Sequence, residues 1–164
     1  MDSSIELVGG SWEVVARLAA AMVAGMVLGV NRDLRGKPAG VRTHALVAIG
    51  SCLVTIIIME VATVGTFDPN AVSRVVQGVI TGIGFIGGGV ILKLPQNRAV
   101  HGLTTAASVW IVACIGISFG AGMWRTAIIG LGFTMLALLA GGTVERIAAR
   151  VFRHRERPEG WGQE

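Results

Sequence analysis

The residues best suited to chemistry are the few charged and polar side chains that interrupt long apolar stretches of the sequence. Glu60, Arg74 and Gln77 fall within two consecutive apolar stretches, and Asp68 lies in the short connection between them. In lipid, an unpaired charge at the centre of a helix costs roughly 2.5 to 3.5 kcal/mol, so such residues pair or mark a polar site. The spacing predicts a polar membrane site here, with Glu60 paired to Arg74 across antiparallel helices.

A second polar set lies where the second and fourth apolar stretches begin. Its members are basic or carry hydroxyl groups: Arg32, Arg35, Arg42, Thr43, Thr104 and Thr105. Exposed N–H groups at a helix start favour anions, so one hypothesis is a cytoplasmic site for an anion or a nucleotide phosphate. The other is electrostatic anchoring of the loop with Thr43 as the helix N-cap. We favour the second, because the sequence offers Arg42 no partner for such a site.

Motifs for catalysis or nucleic-acid binding are lacking. The sequence contains no P-loop, nucleophile elbow or HExxH motif, and its three histidines are scattered. Basic residues lie beside apolar stretches rather than in a stripe with interleaved aromatic residues. Cys52 and Cys114 fall inside apolar stretches, where cysteine acts as a small hydrophobic residue. We therefore expect neither an enzyme nor a nucleic-acid-binding protein, and no cofactor other than magnesium at most.

Five apolar stretches must position these polar residues. Of 164 residues, 52% are hydrophobic, which predicts an all-α integral membrane protein. The predicted helices cover residues 12–30, 43–64, 72 to about 92, 103–118 and 126–142. In the first helix, Glu13 and Arg17 are spaced to form an i,i+4 pair. Gly25 and Gly29 of the same helix are spaced as a ridge for close packing.

The third stretch is unusually rich in glycine. Its glycines lie at Gly78, Gly82, Gly84, Gly87, Gly88 and Gly89. Each would cost about 1 kcal/mol relative to alanine in a water-soluble helix. In a membrane, glycines four residues apart let neighbouring backbones approach closely. The pattern predicts that the third helix lies at the packing centre, although unwinding to line a cavity with carbonyl groups is an alternative.

The distribution of basic residues predicts the orientation in the membrane. With five spans, an external N-terminus and a cytoplasmic C-terminus, every lysine and arginine except Arg17, Arg74 and Arg125 lies on the cytoplasmic side. Residues 1–142 then form the transmembrane domain, and residues 143–164 form a basic juxtamembrane tail. The arginines of this tail surround an apolar helical face, which suits anionic lipid.

An internal similarity suggests a duplication. The segment GVRTHALVAIGSC from Gly40 aligns with GLTTAASVWIVAC from Gly102, and GIGF at Gly82 is echoed by GLGF at Gly130. Helices two and three would then repeat as helices four and five. Chance similarity between apolar segments explains the same pattern equally well, because the spacing between the two echoes differs.

Three motifs resemble the MgtC/SapB family of bacterial membrane proteins: RGKPAGVRTHALVAIG from Arg35, SRVVQGVITGIGFIGGGVI from Ser73 and VHGLTTAASVW from Val100. The resemblance covers about residues 12–142. It implies a multi-pass protein of the bacterial inner membrane, tied to growth at low magnesium and, in pathogens, to survival in host phagocytes. Two features depart from the family. Asn31 stands where many relatives carry an acidic residue, and the short tail suggests a SapB-like form without the soluble C-terminal domain.

Two functions follow from this resemblance. Some members are associated with magnesium transport by name, whereas others are thought to regulate partners such as the ATP synthase or an ion transporter. Magnesium prefers several oxygen ligands, and the predicted membrane interior offers only the Glu60 carboxylate, so a monomeric carrier is disfavoured. We expect a membrane regulatory module that forms a homodimer or larger homo-oligomer through glycine-lined faces. The alternative is a homo-oligomeric cation transporter or channel.

Overall fold

Five α-helices make up most of the chain in a computed structural model that describes residues 10–63, 69–93 and 100–153. The helices are α1 (Gly10–Leu34), α2 (Val41–Thr63), α3 (Pro69–Val90), α4 (Leu103–Gly120) and α5 (Trp124–Arg153). All five are long and apolar enough to cross a membrane. The predicted all-helical class and the five spans are confirmed.

Helices α1, α2 and α4 form the core of the bundle. Arg32 of α1 contacts Thr105 near the start of α4, and Arg17 contacts Gly120 at its end, so these two helices are antiparallel. Helices α2 and α4 are parallel, because later residues of α2 contact later residues of α4. His44 lies beside Ser108, and Cys52 lies beside Gly120. The buried apolar core comes from all three helices, with one residue of α5: Ala21, Ala24, Leu28, Ala48, Cys52, Ile56, Val112, Ile115, Phe119 and Ala127.

Glycines of α1 hold one side of α2 by direct backbone contact. A Cβ atom added to Gly25 would lie 2.5 Å from the His44 carbonyl oxygen and 2.7 Å from the Ala45 Cα. One added to Gly29 would collide with the backbone of Val41. The predicted packing ridge of α1 is therefore confirmed, because only glycine leaves room for the two backbones to come this close.

Glycines of α4 contact the following turns of α2 in the same way. A Cβ on Gly116 would collide with the Ala48 carbonyl oxygen, and one on Gly120 would lie 2.5 Å from the Cys52 carbonyl oxygen. The carbonyl groups of residues 44, 48 and 52 are four residues apart and form one row along α2. This row meets glycine Cα–H groups, a contact worth about 0.5 to 1 kcal/mol each. Helix α2 is thus held by direct backbone contact with both α1 and α4, an arrangement that we call the clamp.

The glycine-rich helix α3 does not occupy the centre of the chain. Half of α4 is buried, whereas only 11% of α3 is, so the expectation of α3 as the most enclosed helix is wrong for the single chain. Gly87 is buried against Ala106 of α4. The other five glycines of α3 have open space where a side chain would point: Gly78, Gly82, Gly84, Gly88 and Gly89. These positions meet no neighbouring helix within the described part of the chain.

A short antiparallel pair joins α3 to α4, a feature that the sequence analysis did not predict. Strand β1 (Leu92–Lys93) pairs with β2 (Val100–His101), with Leu92 opposite His101. Gly102 then turns the chain into α4 with a φ of 92°, a left-handed conformation that glycine adopts without strain. A side chain at residue 102 would also collide with the Val90 carbonyl oxygen.

Helix α5 continues past the predicted boundary at residue 142. Its thirty residues run without interruption from Trp124 to Arg153. At 1.5 Å per residue this is about 45 Å, longer than the roughly 30 Å hydrocarbon core of a bilayer. The predicted division into a transmembrane domain and a basic tail stays a prediction, but the first part of that tail is helical. Residues 154–164 lie outside the described residues.

Candidate functional site

A cluster of four buried polar residues joins α1, α2 and α4 at the end of the bundle where α2 and α4 begin. We call Arg32, His44, Thr105 and Ser108 the polar cluster. None of the four is more than 3% exposed. The Arg32 guanidinium donates a hydrogen bond through Nη2 to Thr105 Oγ1. His44 Nε2 lies 3.1 Å from Ser108 Oγ, and the Ser108 hydroxyl lies 2.8 Å from the Thr105 carbonyl oxygen.

The protons of this cluster are constrained by its geometry. His44 Nδ1 lies 3.0 Å from the Gly40 carbonyl oxygen, which can only accept, so Nδ1 carries the proton of a neutral ring. His44 Nε2 is then an acceptor. The single Ser108 hydroxyl proton therefore has two acceptors within reach, His44 Nε2 and the Thr105 carbonyl oxygen. The network can change its donor pattern by rotation of one hydroxyl group.

The charge of Arg32 has no carboxylate partner among the described residues. Among the described residues the Arg32 side chain makes one hydrogen bond, to Thr105, and its Nε is buried without a partner. The adjacent Asp33 does not pair with Arg32, because its Oδ2 accepts a hydrogen bond of 3.0 Å from the Val41 N–H at the start of α2. A buried ion that lacks a counter-charge carries a penalty of several kcal/mol. The polar cluster is therefore electropositive, and the Arg32 guanidinium within it lacks a full set of acceptors in the described part of the chain.

The predicted cytoplasmic motif is only partly assembled in the structure. Arg32 and Thr105 meet in the polar cluster, whereas Arg35, Arg42 and Thr104 are exposed and take no part in it. Thr43 is not the N-cap of α2, because α2 already begins at Val41 and the Asp33 carboxylate caps it from the end of α1. That capping prediction was wrong because it considered only residues next to the helix start.

The sequence analysis did not predict the contact between His44 and Ser108. His44 is a histidine inside an apolar stretch, and ionisable residues within membrane spans are functional candidates by default. That signal was present in the sequence. Ser108 had no comparable signal, because a serine in a membrane helix usually bonds back to its own backbone, as Ser118 does to the Cys114 carbonyl oxygen at 2.9 Å.

The predicted polar membrane site near the other end of the bundle is only partly described. Glu60 is partly buried near the end of α2, and Arg74 and Gln77 are exposed on the first turns of α3. Asp68 lies outside the described residues. The pairing of Glu60 with Arg74 stays a prediction. Within the described ranges, no group of three or more histidine, cysteine, aspartate or glutamate residues is arranged to hold a metal ion.

A second buried arginine stabilises the same end of the bundle as Glu60. Arg17 is 6% exposed and forms the predicted ion pair with Glu13, one turn earlier in α1. Its Nη1 also donates a hydrogen bond of 2.8 Å to the Gly120 carbonyl oxygen, in the last turn of α4. The last carbonyl groups of a helix lack partners and carry partial negative charge, so a cation here stabilises α4. We assign Arg17 a structural role.

Two of the open grooves along α5 separate it from a neighbouring helix. The larger, of about 700 Å³, lies between α4 and α5 and is lined by Thr104, Ala107, Ser108, Trp110, Ile111, Gly130, Phe133, Thr134, Ala137 and Leu138. The smaller, of about 490 Å³, separates α5 from α1 and reaches Asn31, whose buried Oδ1 has no partner in the described part of the chain. Both grooves approach the end of the bundle that holds the polar cluster, through Thr104 and Ser108 in one and Asn31 in the other.

Five helices of spanning length with buried charged and polar residues at both ends of their core define a polytopic membrane protein. The chain belongs to the MgtC family, whose model matches residues 18–147. The resemblance drawn from the three sequence motifs is therefore confirmed.

Three relatives show how far the similarity extends. Protein SrpB of Synechococcus elongatus is 43% identical over 147 residues, which cover 85% of this chain and 81% of that protein. The "Putative magnesium transporter YhiD" of Escherichia coli K12 is 43% identical over 66% of this chain and 51% of its own length. Protein MgtC of Salmonella typhimurium is 36% identical over 84% and 54%, respectively. The chain thus spans about half the length of the last two. No solved structure matches it.

Proposed function

We propose that this protein is a membrane regulatory module that acts in magnesium homeostasis, or in adaptation to low magnesium, by contacting a partner membrane protein. Family membership and the names of relatives support the connection with magnesium. Candidate partners are the ATP synthase and ion transporters. In a pathogen, the same role would contribute to survival in the host. No catalytic step is needed for this function.

The observation that carries the proposal is the closed packing along α2. Glycines of α1 and α4 touch the α2 backbone at four successive levels, around Val41, His44, Ala48 and Cys52. A route for a hydrated ion requires polar groups around a space wide enough for water. Backbone contact at these levels leaves no such space between α1, α2 and α4. The core of one chain therefore suits a scaffold better than a conduit.

The exposed glycines of α3 are suited to contact with another helix in an oligomer. Gly78 and Gly82 are four residues apart, as are Gly84 and Gly88, and all four have open space beside them. Such pairs let two helices approach closely in a membrane. We propose that a second copy of the chain packs against α3, forming a homodimer or larger homo-oligomer. The glycine-rich helix would then lie near the centre of the assembly, although it is peripheral in one chain.

The proposed location is the bacterial inner membrane, with the N-terminus outside and the C-terminus in the cytoplasm. In this orientation the polar cluster lies at the cytoplasmic end of the bundle, next to the basic residues Arg35 and Lys37 of the α1–α2 connection and Arg42 at the start of α2. The basic end of α5 would contact anionic lipid headgroups. Selective labelling of cysteines introduced at residue 37 and in the tail tests this arrangement, because both must react from the cytoplasmic face.

A second candidate function is a homo-oligomeric cation transporter or channel. Its specific support is that Glu60, Arg74 and the open glycine face of α3 lie on the less buried side of the bundle. Repetition around an oligomer would bring several copies of the Glu60 and Asp68 carboxylates together, as magnesium requires. The carbonyl groups of residues 82–89 would line such a route only if α3 unwound there.

Magnesium flux separates the two candidates. Proteoliposomes that contain only the purified protein are assayed for uptake, alongside Glu60→Gln and a matched variant, Glu13→Gln, which removes a carboxylate from the same end of the bundle. The regulatory proposal expects uptake no faster than in empty liposomes, although loss of the protein impairs growth at low magnesium. Robust uptake that Glu60→Gln abolishes and Glu13→Gln preserves would reject the proposal in favour of transport.

Copurification from cells grown at low magnesium tests the regulatory role directly. The full chain is isolated in mild detergent, and proteins bound to it are compared with those bound to a Gly82→Leu variant. We expect one membrane complex to be enriched reproducibly with the native chain. If no membrane protein is enriched over a mock purification, the regulatory proposal loses its basis.

A further inference from the structure

We propose that the first turn of α4 and Arg32 bind the phosphate of an anionic phospholipid from the adjoining leaflet, and that its acyl chain lies in the α4–α5 groove. This site is specific, unlike the general attraction of basic residues to a negatively charged membrane surface. The inference stands whether the protein regulates a partner or conducts a cation. It rests on three features that meet at one turn of one helix.

The first feature is the uncapped start of α4. Gly102 occupies the N-cap position with a φ of 92°, and no side chain caps the helix among the described residues. The first intrahelical hydrogen bond runs from the Ala106 N–H to the Gly102 carbonyl oxygen at 2.8 Å. The N–H groups of residues 103–105 therefore precede the regular bonding pattern and carry the positive end of the helix dipole. Such groups bind phosphate in many proteins.

The second feature is the uncompensated charge of Arg32. Its guanidinium reaches this same turn of α4 through Thr105 Oγ1. Arg32 is 3% exposed, and its Nε has no partner among the residues that the structure describes. The helix dipole of α4 adds positive potential at that point. A buried cation beside the positive end of a helix is unfavourable unless an anion lies nearby. The described residues supply no carboxylate to it, and the phosphate of a bound lipid would neutralise it.

The third feature is the groove that starts at the same turn. Thr104 lies at one end, and the lining continues along α4 past Ala107 to Ile111, a distance of about 10 Å. Opposite, α5 contributes Phe133 and Leu138. Apart from a few hydroxyl groups the lining is apolar, which suits a hydrocarbon chain and does not suit a soluble phosphate compound. An anionic amphiphile would place its tail in this groove and its headgroup beside the first turn of α4.

Lipid binding by the purified full chain tests the proposal through matched variants. Native mass spectrometry measures how much added phosphatidylglycerol each variant retains. Arg32→Gln should reduce retention about tenfold or more, as expected for a lost charge-assisted hydrogen bond. Arg42→Gln removes an equal charge from an exposed position near the same end and should retain lipid normally. Ala107→Trp fills the groove and should reduce retention, whereas Ala19→Trp, an exposed site on α1, should not.

Several outcomes would overturn the proposal. Equal losses in Arg32→Gln and Arg42→Gln would indicate general surface attraction. Equal retention of phosphatidylcholine, which is neutral overall, would remove the role of charge. If inorganic phosphate displaced the lipid or bound as strongly, the ligand would be a soluble anion. If Arg32→Gln fails to fold, Ala107→Trp still tests the proposal, because residue 107 is exposed. Undiminished lipid retention in Ala107→Trp would exclude an acyl chain from the groove.

Discussion

The clamp on α2 predicts that Gly120→Ala will destabilise the protein, although alanine is the better helix former. A Cβ at residue 120 would lie 2.5 Å from the Cys52 carbonyl oxygen and 2.7 Å from the Thr55 Cβ. Non-bonded carbon atoms prefer separations near 3.5 to 4.0 Å, so α4 must move about 1 Å away from α2. Because one of the obstructing atoms belongs to the α2 backbone, rotation of a side chain cannot relieve the contact.

The magnitude follows from two opposing terms. Overpacking of a close contact typically costs about 1 to 3 kcal/mol, and here the rigid obstacle places it near the upper limit. The replacement of a helical glycine by alanine returns about 0.5 to 1 kcal/mol. The expected net loss of unfolding free energy is therefore about 2 kcal/mol. The movement would also lengthen the hydrogen bond from Arg17 Nη1 to the Gly120 carbonyl oxygen, now 2.8 Å.

Reversible unfolding in a denaturing detergent measures this loss. Gly132→Ala is the matched control, because it lies within α5 and has open space beside it. It should leave stability unchanged or raise it by about 0.5 to 1 kcal/mol. The two alanine variants should therefore differ by roughly 3 kcal/mol, with opposite signs. If Gly120→Ala and Gly132→Ala change the unfolding free energy equally, then glycine is not needed at residue 120 for the close approach of α2 and α4.

Three further predictions concern the polar residues and the glycine face. Arg17→Gln should cost about 1 to 3 kcal/mol in unfolding free energy, because it leaves the Gly120 carbonyl oxygen without its donor; no loss would show that this bond does not form. In a double-mutant cycle, His44→Ala and Ser108→Ala should show a coupling of about 1 kcal/mol, and strict additivity would contradict their contact. Gly82→Leu should shift the oligomer toward monomer in light scattering without altering helical content, and an unchanged mass would reject α3 as the interface.

The five helices could be predicted because hydropathy is a local property. A run of about twenty apolar residues forms a spanning helix independently of its tertiary contacts. The predicted helix starts therefore lie within about three residues of those in the structure. The Glu13–Arg17 pair was equally accessible, since its two members are one turn apart on the same helix. Features determined by helix geometry within one span can thus be read from the sequence.

The packing order of the helices could not be predicted in this way. Glycine density indicates that a backbone will be approached closely, but not by which neighbour. Helix α3 has six glycines and is peripheral, whereas α4 packs tightly on α2 through only Gly116 and Gly120. Gly116 and Gly120 have the same four-residue spacing as the glycine pairs of α3, so their spacing alone does not show which helix is central.

The polar cluster depended on contacts that no local pattern contains. Arg32 and Thr105 are 73 residues apart, and His44 and Ser108 are 64 apart. Each side chain had an acceptable local explanation as an anchor, a cap or a packed polar residue. Only the three-dimensional arrangement of α1, α2 and α4 shows that these residues share one site. The capping of α2 by Asp33, from the preceding helix, was hidden for the same reason.

The row of carbonyl groups on α2 also limits how this part of the chain can change in length. Insertion of one residue between Ala48 and Cys52 would rotate the rest of α2 by about 100° and advance it by 1.5 Å. The Cys52 carbonyl group would then turn away from Gly120 and a side chain would take its place. Length variation among related chains should accordingly be absent from the middle of α2 and confined to the connections outside the clamp.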